Sequence, residues 1–198
     1  MGRKYYELLS IDSVDTLRSR MFFKRESSDD SYSMHLEDGL IEMKRRMREL
    51  IQDGVTFRNC IVTGHGSSGH IKVCSDSITR RVWYDHFYRQ GFDRLFPKSD
   101  GRLYFGGCNV AEDPHGWAFL AAAARSLMSN GGGSAFGWTS VGFGSPFSGH
   151  ERHLWGDTKA VMVSAGGDTL RYYRNWNLIT DAEGNPTLPE EGVDESDY

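Results

Sequence analysis

Two nearly continuous runs of apolar and β-branched residues, at 56–64 (TFRNCIVTG) and 102–108 (RLYFGGC), constrain the fold of this chain most. Strands of this composition are typically covered on both faces, as in a parallel sheet. Further strand-like runs follow at 134–140 (SAFGWTS) and 159–165 (KAVMVSA), and helical patterns lie between them. Because strands and helices alternate along the chain, we expect an α/β fold with a mainly parallel central sheet.

The helical patterns differ in clarity. From Leu36 to Gln52 the apolar residues recur on one face, which predicts an amphipathic helix that ends before Gly54. Residues 77–96 carry apolar side chains at loosely helical intervals and stop at Pro97. The alanine-rich segment 115–130 predicts another helix. The sequence therefore supplies helices on either side of the run at 102–108.

The length of 198 residues fits one domain with small appendages. We divide the chain into an N-terminal extension and linker at 1–35, a main domain at 36–180, and a closing hairpin with an acidic tail at 181–198. Within the extension, residues 5–11 and 18–23 predict short strands, and the polar residues 25–33 predict a linker.

Charge and hydropathy exclude several partners and sites. Residues 181–198 carry seven acidic side chains and no Lys or Arg, so the rest of the chain holds 23 basic and 20 acidic residues (27 less 7). A mild, dispersed excess of this kind gives no reason to expect nucleic acid. No apolar run reaches the ~18 residues of a membrane span, and no signal peptide is evident, so we expect a cytoplasmic protein without a membrane partner. The three cysteines predict no disulfide framework.

Two chemically reactive side chains follow the two apolar runs. His65 comes directly after Gly64, and Cys108 comes after Gly106 and Gly107. Because the carboxyl ends of parallel strands share one edge of a sheet, we expect the thiol and the imidazole to meet there. Glycine before each residue permits a sharp turn that exposes the next side chain. The helix after Cys108 would favour a thiolate, so the pair suits acyl transfer.

Other interpretations of these residues remain open. Gly64, Gly66 and Gly69 match G-x-G-x-x-G, but a dinucleotide site needs a helix at the third glycine, whereas HIKVC (70–74) predicts a strand. Cys60 and Cys74 lie near two histidines without the spacing of a zinc site, so we predict no metal. Each reactive residue taken alone is also compatible with a purely structural role.

The segments IVTGHGSSG and RLYFGGCNVAEDPHGWAFLAAAARSL resemble the caspase-like (clan CD) cysteine peptidases, and most of all the bacterial caspase-like or CHAT-type domains with His-Gly and Gly-Cys-Asn-Val motifs. The resemblance covers about residues 55–142. His65 and Cys108 are 43 positions apart, which is close to the interval of about 50 residues in caspases. The resemblance implies a caspase-like three-layer sandwich and a thiol protease.

The resemblance also implies the roles of individual residues. Cys108 would be the nucleophile and His65 the proton-transfer residue, while the backbone N–H groups of Gly66 and Cys108 would form the oxyanion hole. The candidate walls of the substrate cleft are Trp138, Phe143 and Phe147, and we add Asp157 as a residue that could bind a basic side chain.

The sequence departs from the caspase pattern around the nucleophile. GGCNV stands in place of Gln-Ala-Cys-x-Gly, so no cleavage preference is carried over. The expected partner is a protein or peptide substrate, no cofactor is required, and calcium or a protein activator is compatible with this chemistry. The alternative function is a catalytically silent module that binds other proteins.

Overall fold

The computed structural model describes residues 4–13, 30–140, 142–143, 152–153 and 156–189. These residues form an α/β fold with one eight-stranded sheet and two smaller sheets. The helices are α1 (Gly39–Gln52), α2 (Arg80–His86) and α3 (Gly116–Met128), with a 3₁₀ helix at Phe92–Leu95. The strands are β1 (Lys4–Ser13), β2 (Ser31–Leu36), β3 (Val55–Thr63), β4 (His65–Ser67), β5 (His70–Val73), β6 (Asp76–Thr79), β7 (Gly101–Phe105), β8 (Gly133–Trp138), β9 (Gly142–Phe143), β10 (Arg152–His153), β11 (Thr158–Val163), β12 (Leu170–Arg174) and β13 (Asn177–Leu178).

The large sheet is mixed, so the prediction of a mainly parallel sheet is wrong. Its strand order is β13-β12-β11-β8-β7-β3-β1-β2. Within this order β2, β1, β3, β7 and β8 pair in parallel, whereas β11, β12 and β13 pair antiparallel with their neighbours. Residues 164–169 between β11 and β12 are too few for the crossover that a parallel pair requires. The carboxyl ends of β1, β3, β7 and β8 therefore share one edge with the start of β11.

The helices pack on one face of this sheet. Successive strand residues point to opposite faces, and the larger apolar cluster combines buried residues of all three helices with strand residues such as Cys60, Leu103 and Val161. The alternate strand residues form a second cluster of Leu8, Ile61, Tyr104, Phe136 and Ala160, to which the described helices contribute nothing. The main core thus lies between the sheet and the helix layer.

The two smaller sheets are hydrogen-bonded separately from the large sheet. β4, β5 and β6 form an antiparallel meander between β3 and α2, and β9 pairs antiparallel with β10. Near the end of the described chain an antiparallel bridge joins Thr180 to Pro186, as expected of the closing hairpin.

Most predicted elements are present with shifted bounds. The first helix begins at Gly39 rather than Leu36, because residues 31–36 pair with β1 as β2. For the same reason the predicted linker at 25–33 ends inside a strand. Residues 77–96 divide among the end of β6, the short helix α2 and the 3₁₀ helix. The strand predicted at 18–23 lies outside the described residues.

Candidate active site

His65 and Cys108 follow neighbouring parallel strands, as predicted. β3 and β7 pair with Val62 opposite Phe105, and Gly106 N–H donates to the Val62 carbonyl at 2.9 Å. β3 ends at Thr63 and β7 ends at Phe105, so both segments leave the same edge of the sheet. The two reactive residues are therefore presented by adjacent strand ends.

The backbones that carry the two residues are in direct contact. A Cβ atom added to Gly66 would overlap the Cys108 carbonyl oxygen and lie 2.5 Å from Val110 Cγ2. A Cβ atom added to Gly107 would lie 3.0 Å from Gly66 Cα. Only glycine at 66 allows this approach. The residue after His65 thus packs against the residue before Cys108.

His65 begins a strand and does not sit in an exposed turn. Residues 65–67 form β4, where His65 lies opposite Lys72 of β5, and the side chain of His65 is exposed to solvent. The prediction of a turn at this position is wrong, since the chain passes through Gly64 into a second, smaller sheet. Pairing with β5 gives the imidazole-bearing backbone a fixed direction.

The loop around Cys108, residues 106–115, is held by hydrogen bonds of its own backbone, and we name it the nucleophile loop after the predicted role of Cys108. Asn109, with a left-handed φ of 55°, donates its N–H to the Ser140 carbonyl at 3.1 Å. Ala111 N–H donates to the Trp138 carbonyl at 3.0 Å. Among the described residues no partner accepts from the Cys108 N–H.

Cys108 does not stand at the start of a helix. α3 begins at Gly116, and residues 109–115 of the nucleophile loop lie between. Because the field of a helix terminus is confined to its first turn, the expected stabilisation of a Cys108 thiolate by α3 is not supported. His115, the residue before α3, occupies the helix entry with no side-chain cap hydrogen bond.

Ser68 joins the histidine strand to the nucleophile loop. Its hydroxyl donates to the Glu112 carbonyl at 2.7 Å and accepts from the His115 N–H at 3.4 Å. Beside it, Gly69 N–H donates to the Val110 carbonyl at 3.1 Å. These bonds hold residues 68 and 69 against the second half of the nucleophile loop, next to the contact between Gly66 and Cys108.

We expect Ser68→Ala to loosen this connection without unfolding the protein. The variant loses two hydrogen bonds in a partly exposed position, so its free energy of unfolding should fall by about 1 kcal/mol. The change is measured by urea denaturation, with Ser67→Ala as the control because Ser67 is the preceding residue, at the end of β4, and is exposed. Equal stability of the two variants would contradict the structural role of the Ser68 hydroxyl.

The other two thiols are less accessible than Cys108. All three cysteines are free, and Cys60 and Cys74 are buried whereas Cys108 is partly exposed. Burial raises the pKa of the Cys60 thiol, and the nearby Asp12 carboxylate raises that pKa further. The Cys74 thiol donates to the Leu36 carbonyl at 3.1 Å. Cys108 is thus the thiol that a reagent or substrate can reach.

The residues predicted to line the substrate cleft have different surroundings. Trp138 ends β8 and is buried. Phe143 belongs to β9, and the structure does not describe its side chain; Phe147 lies outside the described residues. The Asp157 carboxylate accepts from Asn175 Nδ2 at 2.6 Å and lies 3.7 Å from Arg174 Nε. Asp157 is therefore engaged with β12 and its following turn, and does not stand alone.

A buried carboxyl group that the sequence did not single out lies at the same edge. Asp12, near the end of β1, pairs with Thr63 of β3 and is fully buried. Its Oδ2 accepts from Ser10 Oγ at 3.4 Å and lies 3.7 Å from His35 Nδ1. Its Oδ1 has no hydrogen-bond partner among the residues that the structure describes. Burial raises the pKa of Asp12.

This raised pKa makes stability depend on pH. Between the unfolded pKa of about 3.9 and the higher folded pKa, the folded protein holds more protons than the unfolded chain, so stability falls as pH rises. We expect Asp12→Asn to remove this fall and to raise the free energy of unfolding at pH 7 by roughly 1 kcal/mol. Urea denaturation from pH 4 to 7.5 measures both effects. A parallel decline in parent and variant would contradict the assignment.

Within the described segments, no group of three or more His, Cys, Asp and Glu side chains is placed to hold a metal ion. No helix of those segments is long and apolar enough to cross a membrane. Comparison of the chain with protein-family models, with curated protein sequences and with solved structures finds no match.

Proposed function

We propose that this protein is a cysteine endopeptidase with a caspase-like sandwich fold, in which Cys108 is the nucleophile and His65 transfers protons. The observation that carries the proposal is the contact of Gly66 with Gly107 and Cys108 at the shared edge of β3 and β7. Two reactive side chains from distant parts of the sequence are attached directly to this contact. A nucleophile beside a general base is the arrangement that covalent catalysis needs.

The proposed reaction proceeds in two steps. The Cys108 thiol gives its proton to His65, and sulfur attacks the peptide carbonyl to form a tetrahedral oxyanion near the free Cys108 N–H. Collapse breaks the C–N bond, and the proton on His65 moves to the departing amine. His65 then takes a proton from water, whose oxygen displaces sulfur from the acyl group. The thiol is regenerated, and no cofactor enters either step.

The sheet supports a caspase-like arrangement in its parallel half. The strands β2, β1, β3, β7 and β8 run in one direction, and the reactive residues follow two central members of this set. The antiparallel strands β11 to β13 extend the sheet beyond β8. The substrate cleft would accordingly lie across the edge where β3, β7 and β8 end.

Selective alkylation of Cys108 tests the dyad directly. Cys108 should react with iodoacetamide faster than Cys60 and Cys74, but its greater exposure alone would give that order. The decisive comparison is His65→Ala, which should slow Cys108 alkylation at pH 7 by at least roughly tenfold, since the base that forms the thiolate is lost. His70→Ala is the matched control, because His70 lies in β5 and its neighbour across the pair is Ser67, not His65.

Digestion of a peptide library tests the reaction itself. The parent protein should cut a subset of peptides, and Cys108→Ala should leave the library intact. If His65→Ala leaves the Cys108 alkylation rate unchanged and no peptide is cut, the endopeptidase proposal is wrong. The chain would then fit the alternative of a non-catalytic binding module.

A further inference from the structure

An ion pair between a buried lysine and a partly exposed aspartate ties the nucleophile loop to the antiparallel half of the sheet. Lys159 of β11 is 1% exposed, and its Nζ lies 2.5 Å from Asp113 Oδ1. The same ammonium group lies 4.6 Å from the centre of the Trp117 ring. On the other side of Asp113, Oδ2 lies 4.0 Å from Arg174 Nη2 of β12. Asp113 thus connects the loop to two strands that follow it in the sheet.

Stability alone gives a poor account of this pair. Moving an ammonium group out of water is costly, and an apolar residue of similar size often stabilises a buried site as well or better. The neighbours of Lys159 in β11 are Thr158 and Ala160, and its ammonium group lies over the Trp117 ring, an apolar surface that Met could also cover. What the ion pair adds is a fixed position for this part of the nucleophile loop relative to β11. Asp113 must stay within bonding distance of Lys159, whose side chain cannot reach solvent.

Because Cys108 lies in the same loop, anchoring Asp113 also constrains the position of Cys108. Asp113 lies five residues after Cys108 in a loop without regular secondary structure. The backbone bonds of Asn109 and Ala111 secure the middle of the loop to β8. Asp113 secures its far end to β11, one strand beyond. Without it, the segment between Ala111 and α3 loses its connection to the sheet.

We propose that Asp113 is a positioning residue for the nucleophile, acting through its ion pair with Lys159. The proposal rests on the proposed function, since it concerns the alignment of Cys108 with His65. Asp113 touches neither the substrate nor the reacting atoms in this scheme. Its carboxylate keeps the nucleophile loop in the one arrangement that sets Cys108 beside the histidine strand.

The test compares thiols within the same molecule. Asp113→Asn is expected to slow alkylation of Cys108 by roughly tenfold, because a small misplacement of a reacting group is costly. Alkylation of Cys60 and Cys74 should remain slow and unchanged below the unfolding temperature. Lys159→Met removes the same pair without leaving a buried charge and should slow Cys108 similarly. Asp113→Glu, which keeps the carboxylate, should recover part of the parent rate.

The control is a variant that loses stability away from the site. Leu50→Ala removes a buried side chain from α1, whose main packing partners are β2, β3, β6 and the 3₁₀ helix. A substitution that only lowers stability increases labelling of Cys60 and Cys74 through unfolding and does not change the alkylation rate of Cys108 in the folded protein. Leu50→Ala should show this pattern. A positioning effect lowers the Cys108 rate and leaves the other two thiols alone.

The outcomes separate the two proposals. If His65→Ala slows Cys108 but neither Asp113→Asn nor Lys159→Met does, the positioning role is wrong and the endopeptidase proposal stands. If none of the three substitutions slows Cys108, the positioning role is wrong, and the endopeptidase proposal falls with it when the parent protein also cuts no peptide. If Asp113→Asn does not fold, Lys159→Met decides the question. It leaves no buried charge, because the remaining Asp113 carboxylate is only half-buried and lies beside Arg174.

Discussion

Replacing Gly66 with alanine should reduce the alkylation rate of Cys108 by about a hundredfold, because ångström-scale misplacement of reacting groups is that costly. The added methyl group would overlap the Cys108 carbonyl oxygen and lie 2.5 Å from Val110 Cγ2. Neither is the far end of a flexible side chain, so the histidine strand and the nucleophile loop must separate. Overpacking of this kind should also lower the free energy of unfolding by about 2 kcal/mol.

Gly106→Ala is the matched control for this substitution. Gly106 lies at the same sheet edge, but a Cβ atom there would meet Thr63 Oγ1 at 3.5 Å, an ordinary contact. The control should keep the Cys108 rate within a few-fold of the parent. Rates are measured by mass spectrometry of peptides after timed alkylation, and stability by urea denaturation. A folded Gly66→Ala protein with the parent's Cys108 rate would show that the two backbones are not held in contact.

The sequence allowed His65 and Cys108 to be selected for reasons that the structure only partly supports. Their placement after neighbouring parallel strands follows from the two apolar runs, and this part of the prediction is confirmed. The turn at His65 is wrong, and the expected stabilisation of a Cys108 thiolate by the correctly predicted helix α3 is not supported. HGS has no strand pattern of its own, and it becomes β4 because HIKV is available to pair with it. Pairing between segments decided what local preference could not.

The sheet shows a related limit. An alternation of strands and helices predicts parallel pairing, and this holds for β2, β1, β3, β7 and β8 of the large sheet. After β8, however, no helical pattern separates the remaining strand segments. A short return at 164–169 then favours antiparallel pairing, and the sequence contains this signal.

The charged residues of the site were the hardest to foresee. Lys159 opens the run KAVMVSA and is typical of an exposed residue at a strand end, yet it is 1% exposed. Asp12 has the same character at the end of β1 and is fully buried. Burial of such groups depends on which loops cover the strand ends, and neither hydrophobic periodicity nor composition contains that information.

Gly116→Ala should destabilise the protein by about 3 kcal/mol, the upper range for overpacked sites. Helix propensity alone predicts the opposite sign, since alanine is favoured over glycine inside a helix by about 1 kcal/mol. Gly116 is the first residue of α3, and a Cβ atom there would lie 2.6 Å from Ala111 Cα and closer still to its carbonyl group. The start of α3 is therefore packed directly on the backbone of the nucleophile loop.

The substitution must move either α3 or the loop, and each movement has its own signature. α3 packs on β7, β8 and β11 and is buried along nearly its whole length, so the loop should give way first. Cys108 alkylation should then slow, whereas Cys60 and Cys74 should change only as far as lost stability exposes them. Gly106→Ala again provides the comparison. A Gly116→Ala protein as stable as the parent would mean that propensity outweighs this contact and that α3 does not rest on Ala111.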